Sequence, residues 1–365
     1  MGEKETSMEI EIRKLADDER KPIPKDDMKL GFGKTFTDHM FAMEYDSKEG
    51  WHKARIEPYA ALELDPACMA LHYGQEVFEG LKAYRGAGDG VYLFRHKQNF
   101  DRMNRSCDRL VMPELDIDFV SEALKKLILL EKEWIPTTKG CALYIRPTMI
   151  ATDPFLGVRP SETYLFYIIL SPVAAYYPEG FNPVKIHVSR DFVRAVRGGV
   201  GEAKAAGNYA SSLKAQAKAK ELGYTQVLWL DAVERKYVEE VGTMNIFFVL
   251  DDELVTSPLT GSILPGVTRD SVLTLAKKWG VKAVERKVSI DEVMEGAKDG
   301  RLKECFGSGT AAIISPVKAI AFDGEEVQIG DGTTGPLAQK LYDYILDLQY
   351  GEAEDPFGWV ERIDA

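Results

Sequence analysis

Gly198-Gly199-Val200-Gly201-Glu202-Ala203-Lys204-Ala205-Ala206-Gly207-Asn208-Tyr209 sets one lysine among glycines and alanines, just ahead of a helix-forming segment. Small neighbours let a backbone or a small molecule come close to Lys204. The lysines that follow behave differently. Lys214, Lys218 and Lys220 lie among Ala, Gln and Glu, and Lys214 and Lys218 are four apart, as on a solvated helix face. Surface solvation is the ordinary fate of a lysine. The setting of Lys204 suits covalent amine chemistry instead, in which desolvation or nearby cations make the amine nucleophilic.

Outward from this stretch, the pattern predicts helices over Tyr209 to Leu222, Thr268 to Trp279, Ile290 to Ala297 and Pro336 to Leu348, and strands over Gln226 to Leu230 and Val241 to Leu250. Upstream it predicts strands over Phe32 to Tyr45, Val91 to Phe94, Ala142 to Ile150 and Tyr164 to Leu170. A helix with a Ser start is expected over Ser121 to Trp134. Pro147 places its strand at a sheet edge or at a strand end. The run SPVAAYYPEGFNP, residues 171–183, shifts to Pro, Gly and Tyr and marks a linker. The expected organisation is a polar lead-in at 1–28, a first α/β domain at 29–173, a linker at 174–188 and a second domain at 189–365.

The chain of 365 residues carries a net charge of -12 with pI ≈ 5.1, which argues against nucleic acid as a main partner. Cys68, Cys107, Cys141 and Cys305 form no C-x-x-C pair, and the five histidines form no H-x-x-x-H motif. No metal site, secretory signal or membrane span is expected, and the protein is read as cytoplasmic.

Neither nucleotide-binding glycine fingerprint is present where a strand meets a helix. Two other turns suit a phosphate. Gly266-Val267-Thr268-Arg269 opens a predicted helix, where backbone N–H groups and the dipole favour an anion. Gly307-Ser308-Gly309-Thr310 offers a hydroxyl and close backbone approach. Either turn alone is more simply a connector. An acid that could meet a ring nitrogen stands at Glu239 or Glu240, and the pattern does not choose between them.

Four segments in order, Tyr73-Gly74-Gln75-Glu76-Val77-Phe78-Glu79-Gly80-Leu81-Lys82-Ala83-Tyr84-Arg85, Glu240-Val241-Gly242-Thr243-Met244-Asn245, Leu264-Pro265-Gly266-Val267-Thr268-Arg269 and Phe306-Gly307-Ser308-Gly309-Thr310-Ala311-Ala312, resemble the branched-chain amino-acid aminotransferases. These are fold-type IV pyridoxal-phosphate enzymes, and the similarity runs from about Gly31 to Tyr350. The resemblance implies an α/β architecture of a smaller N-terminal domain and a larger C-terminal pseudo-barrel domain that binds pyridoxal 5'-phosphate. It implies Lys204 as covalent tether and proton carrier, Glu240 at the pyridine nitrogen and Tyr209 at the phenolic oxygen. Arg102, Val267, Thr268 and Thr310 would hold the phosphate, with Gln226 and Thr243 near the cofactor.

By the same resemblance, Phe32, Phe78, Tyr176 and Tyr209 line an apolar substrate pocket. Tyr73, Tyr144, Arg146, Leu156 and Val158 would reach in from the second subunit of a homodimer. The substrate carboxylate would meet Tyr144, Arg146 or Tyr73 and the backbone at Ala311 and Ala312. The implied activity is amino-group transfer between leucine, isoleucine or valine and 2-oxoglutarate, as in branched-chain amino-acid biosynthesis. A D-amino-acid or amine transaminase, or an aminodeoxychorismate lyase, is the alternative. The thiol pair that some members carry after the GSGT turn is replaced here by Ala312 and Ser315, so no thiol switch is expected.

Overall fold

A computed structural model of the chain describes residues 8–174 and 181–364. They form two units, 8–174 with 349–364, and 181–348. No helix among the described residues is long and apolar enough to cross a membrane.

The first unit is built on one mixed sheet. Its strands are β1 (Glu11–Ile12), β2 (His39–Asp46), β3 (Gly50–Pro58), β4 (Glu76–Phe78), β5 (Leu81–Arg85), β6 (Val91–Phe94), β7 (Ala142–Ala151) and β8 (Thr163–Val173), with Val360–Arg362 from the far end of the chain. Helices α1 (Met69–Tyr73), α2 (His96–Arg109) and α3 (Ile117–Leu130) complete it. Phe41, Phe100, Leu124, Ile145 and Phe166 are fully buried in a shared core. Three expectations need correction here. The first predicted strand begins at His39, not Phe32. The helix starts at Ile117 because the Asp116 carboxylate accepts the N–H groups of Asp118 and Phe119, a stronger cap than anything Ser121 offers mid-helix.

Pro147 is the third. It lies inside β7, which pairs with β8 on one side and with β4 and β5 on the other. Its carbonyl accepts the Glu79 N–H at 2.8 Å, so its nitrogen faces the same side, where the neighbouring chain leaves the ladder between β4 and β5. The missing donor falls in a gap.

The second unit holds β9 (Val184–Val188), β10 (Gln226–Leu230), β11 (Val238–Val241), β12 (Met244–Leu250), β13 (Glu253–Thr256), β14 (Ala283–Glu285), β15 (Leu302–Gly309), β16 (Ile313–Phe322) and β17 (Glu325–Gln328). Its helices are α4 (Ala206–Glu221), α5 (Val267–Lys278), α6 (Ile290–Asp299) and α7 (Pro336–Gln349). The order β11-β10-β9-β16-β15-β12 returns to β11 through a further β11–β12 pairing, which closes the pseudo-barrel. The predicted strand from Val241 to Leu250 is a hairpin, with Val241 opposite Met244 and Gly242 at φ +55°. A two-residue turn needs positive φ there, which glycine supplies without strain.

The expected reach of the second domain to 365 is also corrected. Val360–Arg362 pairs antiparallel with β6, and the Tyr350 hydroxyl accepts the Gly140 N–H at 3.0 Å. The last residues therefore belong to the first unit, and the second unit is not the larger.

Candidate active site

Pairing register gathers the chemistry of the second unit. Trp229 pairs with Glu240, Glu240 with Asn245, and Asn245 with Ser308, so one row across the barrel joins the Glu240 hairpin to the GSGT segment. Gly307 to Gly309 are the end of β15, and the turn proper is Thr310 to Ala312.

Lys204 lies two residues before α4, half-buried, with its Nζ donating to the Tyr209 hydroxyl at 2.8 Å. The loop that carries it is pinned from the helix: the Asn208 amide donates to the carbonyls of Val200 at 2.7 Å and Ala203 at 2.9 Å. A side chain at Gly201 would place its Cβ 2.3 Å from the Ser262 carbonyl oxygen, so this close approach admits only glycine. The small residues around Lys204 thus serve backbone packing as well as access.

The two glutamates differ in their partners. Glu240 is 3% exposed, forms an ion pair with Arg194 and accepts from the Asn245 amide at 3.2 Å. Arg194 is anchored by the carbonyls of Gly201 at 2.9 Å and Ser262 at 2.6 Å. Its approach to Glu240 Oε2 is a charge contact without aligned hydrogen-bond geometry, which leaves that oxygen able to accept from a donor. Burial raises the Glu240 carboxyl from 4.5 to about 7, against the opposing pull of Arg194. Gln226, Thr243, Val267 and Thr268 all belong to this unit. Thr243 borders the recess that holds Tyr209 and Glu240, and the Gln226 amide lies over Gly242. Val267 and Thr268 open α5, where Gly266 provides no side-chain cap. Thr310 is half-buried after β15.

The raised carboxyl makes stability depend on pH. Between pH 4.5 and about 7 the native state keeps a proton that the unfolded chain has lost, so this group's contribution is greatest below pH 4.5 and falls as pH rises. The size is about 3 kcal/mol across the window. Across pH 5 to 7.5 the stability of the cofactor-free parent is therefore expected to fall by about 2–3 kcal/mol relative to that of Glu240→Gln, whatever the offset between the two proteins. Urea unfolding of both proteins across that range measures it, and a pH-independent difference would reject the assignment.

Phe32, Phe78, Tyr144 and Arg146 meet in the first unit. Phe32 and Tyr144 pack edge-to-face at 4.9 Å, and Arg146 lies 4.7 Å over the Phe78 ring while donating to the Tyr144 hydroxyl at 2.9 Å. Tyr144 and Arg146 are two apart on β7 and share a face. This corrects the expected grouping: they go with Phe32 and Phe78, whereas Tyr73, Leu156 and Val158 stand apart and exposed, Val158 at 89%. Tyr176 lies outside the described residues.

Arg102 is buried on α2, also in the first unit, and grips the Glu79 carboxylate through Nε at 2.7 Å and Nη2 at 2.8 Å. The Asn99 amide and the Gly80 N–H donate to the same carboxylate at 3.0 and 3.1 Å. Glu79, Arg194 and Asn208 were not singled out from sequence. A single arginine or glutamate with no spacing rule gives no signal, although Glu79 does lie within the quoted Tyr73 to Arg85 motif.

Residues 76–320 match the family model for amino-transferase class IV. Branched-chain-amino-acid aminotransferase 2 of Bacillus subtilis is 56% identical over 346 residues, 95% of each chain. Branched-chain-amino-acid transaminase 1 of the same organism is 54% identical, over 97% of this chain and 99% of its own. Among solved structures, the branched-chain amino acid aminotransferase of Escherichia coli is 31% identical with a TM-score of 0.74, covering 90% of this chain and 99% of that one. The T.th. branched-chain amino acid aminotransferase solved with pyridoxamine 5'-phosphate is 28% identical with a TM-score of 0.73, over 88% and 98%. With the barrel, the lysine and the paired glutamate in place, the chain belongs to the class IV aminotransferases, in the branched-chain-amino-acid aminotransferase family.

Proposed function

We propose that the chain is a pyridoxal-phosphate-dependent transaminase exchanging amino groups between leucine, isoleucine or valine and 2-oxoglutarate. One observation carries the reading: a half-buried amine on a tyrosine hydroxyl shares a unit with a buried, arginine-paired carboxylate. Both features fit the cofactor. Glu240 keeps an acceptor oxygen for a ring N–H, and the uncapped start of α5 suits a phosphate. When bound, pyridoxal phosphate supplies a ring that takes up the negative charge left at the substrate's α carbon. Glu240 would hold the ring nitrogen and Tyr209 the phenolic oxygen, beside Gln226 and Thr243. The Val267 and Thr268 amides and the Thr310 hydroxyl would hold the phosphate.

Lys204 is the tether and, once released, the base that takes the α proton at Nζ and returns it. Its hydrogen bond to Tyr209 orients the amine for that work. Arg194 keeps Glu240 in place inside a low-dielectric setting.

The Phe32, Phe78, Tyr144 and Arg146 cluster offers aromatic faces to an aliphatic side chain and a cation to a carboxylate. The backbone at Ala311 and Ala312 would receive the α-carboxylate. Exposed Tyr73, Leu156 and Val158 are read as surface covered by a second copy, making a homodimer. The four cysteines are buried and unbridged, which supports a reducing, cytoplasmic setting. Steady-state assays with leucine, isoleucine and valine against 2-oxoglutarate should show turnover with all three. Turnover with D-alanine and none of these would favour the alternative, and the identity to named relatives argues against it.

A further inference from the structure

A cleft of about 270 Å³ opens on the second unit and shares no lining residue with the recess around Glu240. It is smaller than the roughly 300–1,000 Å³ of drug-sized sites, which restricts it to a small occupant. Glu239 lines it. Across β10, Trp229 pairs with Glu240 and Leu230 with Val238, so Glu239 is the extra residue of a β-bulge. Bulges re-aim side chains out of the regular ladder, often beside active sites. Glu239 is 9% exposed; its Oε1 accepts from the Ser262 hydroxyl at 2.5 Å, while Oε2 is buried with no donor among the described residues. A buried acceptor without a donor is costly, and a ligand N–H would relieve it.

The other charges sort into used and unused. The Asp231 carboxylate accepts the backbone N–H groups of Val233, Glu234, Lys236 and Tyr237 and is fully engaged. Lys287 and Glu234 face each other at 3.5 Å, with Lys287 over the Tyr237 ring. Arg197 is exposed and makes no side-chain hydrogen bond or ion pair among the described residues, yet its charge acts on Glu239. The cleft therefore offers a carboxylate, a guanidinium and apolar walls from Val196, Val233, Pro258 and Ile263.

We propose that this cleft binds a small α-amino acid with an aliphatic side chain, its ammonium on Glu239 and its carboxylate on Arg197. One unmatched anion and one unmatched cation, not paired with each other, complement a zwitterion. A simple amine or a simple acid satisfies only half of the cleft. The site also has leverage: Arg197 leads directly into the loop that carries Lys204, and Glu239 is bonded to Glu240. An occupant spanning the two braces both arms of the catalytic unit. Binding here follows from the cleft itself, whichever amino-group reaction runs next door.

Equilibrium dialysis of borohydride-reduced holoenzyme, whose lysine no longer exchanges with amines, tests this with three probes: L-leucine, 3-methylbutylamine and 4-methylpentanoate. Leucine is expected to bind at least about 10-fold more tightly than either half-molecule. Val233→Trp fills the cleft from an 83% exposed position and should weaken leucine at least about 10-fold without disturbing the core. Arg197→Ala should erase most of the preference for leucine over the amine. No leucine binding, binding unchanged in both variants, or an amine as tight as leucine would each overturn the proposal. Failure of transaminase turnover would leave these dialysis outcomes unaltered, so the two readings fail separately.

Discussion

Replacing Lys204 with alanine is expected to lower kcat at least about 10⁴-fold, equivalent to about 5 kcal/mol of barrier. The residue is assigned two duties, tether and proton carrier, and the variant loses both. Tyr209 cannot substitute, because its hydroxyl is placed to bond the amine rather than to replace it. Folding should be nearly untouched, since the side chain is only half-buried and its neighbours Ala203 and Ala205 are already small. Added methylamine should restore part of the proton transfer, which a merely structural lysine would not allow. Borohydride reduction and peptide mapping of the parent should label this lysine. Activity within 10-fold of the parent, or a label on another lysine, would remove Lys204 from the mechanism.

Arg102→Ala should be the most damaging single change to stability, at about 3–5 kcal/mol. The guanidinium and Glu79 make a bidentate pair with both side chains out of water, Glu79 fully and Arg102 nearly so. Removing one partner leaves a buried carboxylate without its bidentate cation, although the Asn99 amide and the Gly80 N–H still donate to it. The double change Glu79→Gln with Arg102→Met should recover much of the loss, because the cost lies in the uncompensated charge and not in the missing attraction. Denaturant unfolding of the three proteins measures this. A loss below about 1 kcal/mol for Arg102→Ala would show that the pair is well hydrated after all.

Much of the second unit was legible because local rules govern it. The helices after Lys204 and after Gly266 come within three residues of their predicted starts, since small residues, caps and apolar spacing act over a turn or two. Pro147 and the Val241–Met244 turn were misread for the opposite reason. Whether a missing N–H matters depends on which chain lies beside it, and only the interruption between β4 and β5 decides that. A continuous apolar run reads the same as one strand or as two when glycine can turn it tightly.

The sequence by itself determined the family and singled out Lys204 and the two phosphate-compatible segments as candidates, because ordered motifs and small-residue settings survive in one dimension. Tertiary structure alone decided which of two adjacent glutamates is the paired acid. Their ladder positions differ: Glu240 sits in the cross-barrel row against Arg194 and Asn245, while Glu239 is lifted out by a bulge. It also decided that Tyr144 and Arg146 stand with Phe32 and Phe78, and that the chain's end returns to the first sheet. Burial, partner charge and strand register are properties of distant segments brought together, and no window of sequence contains them.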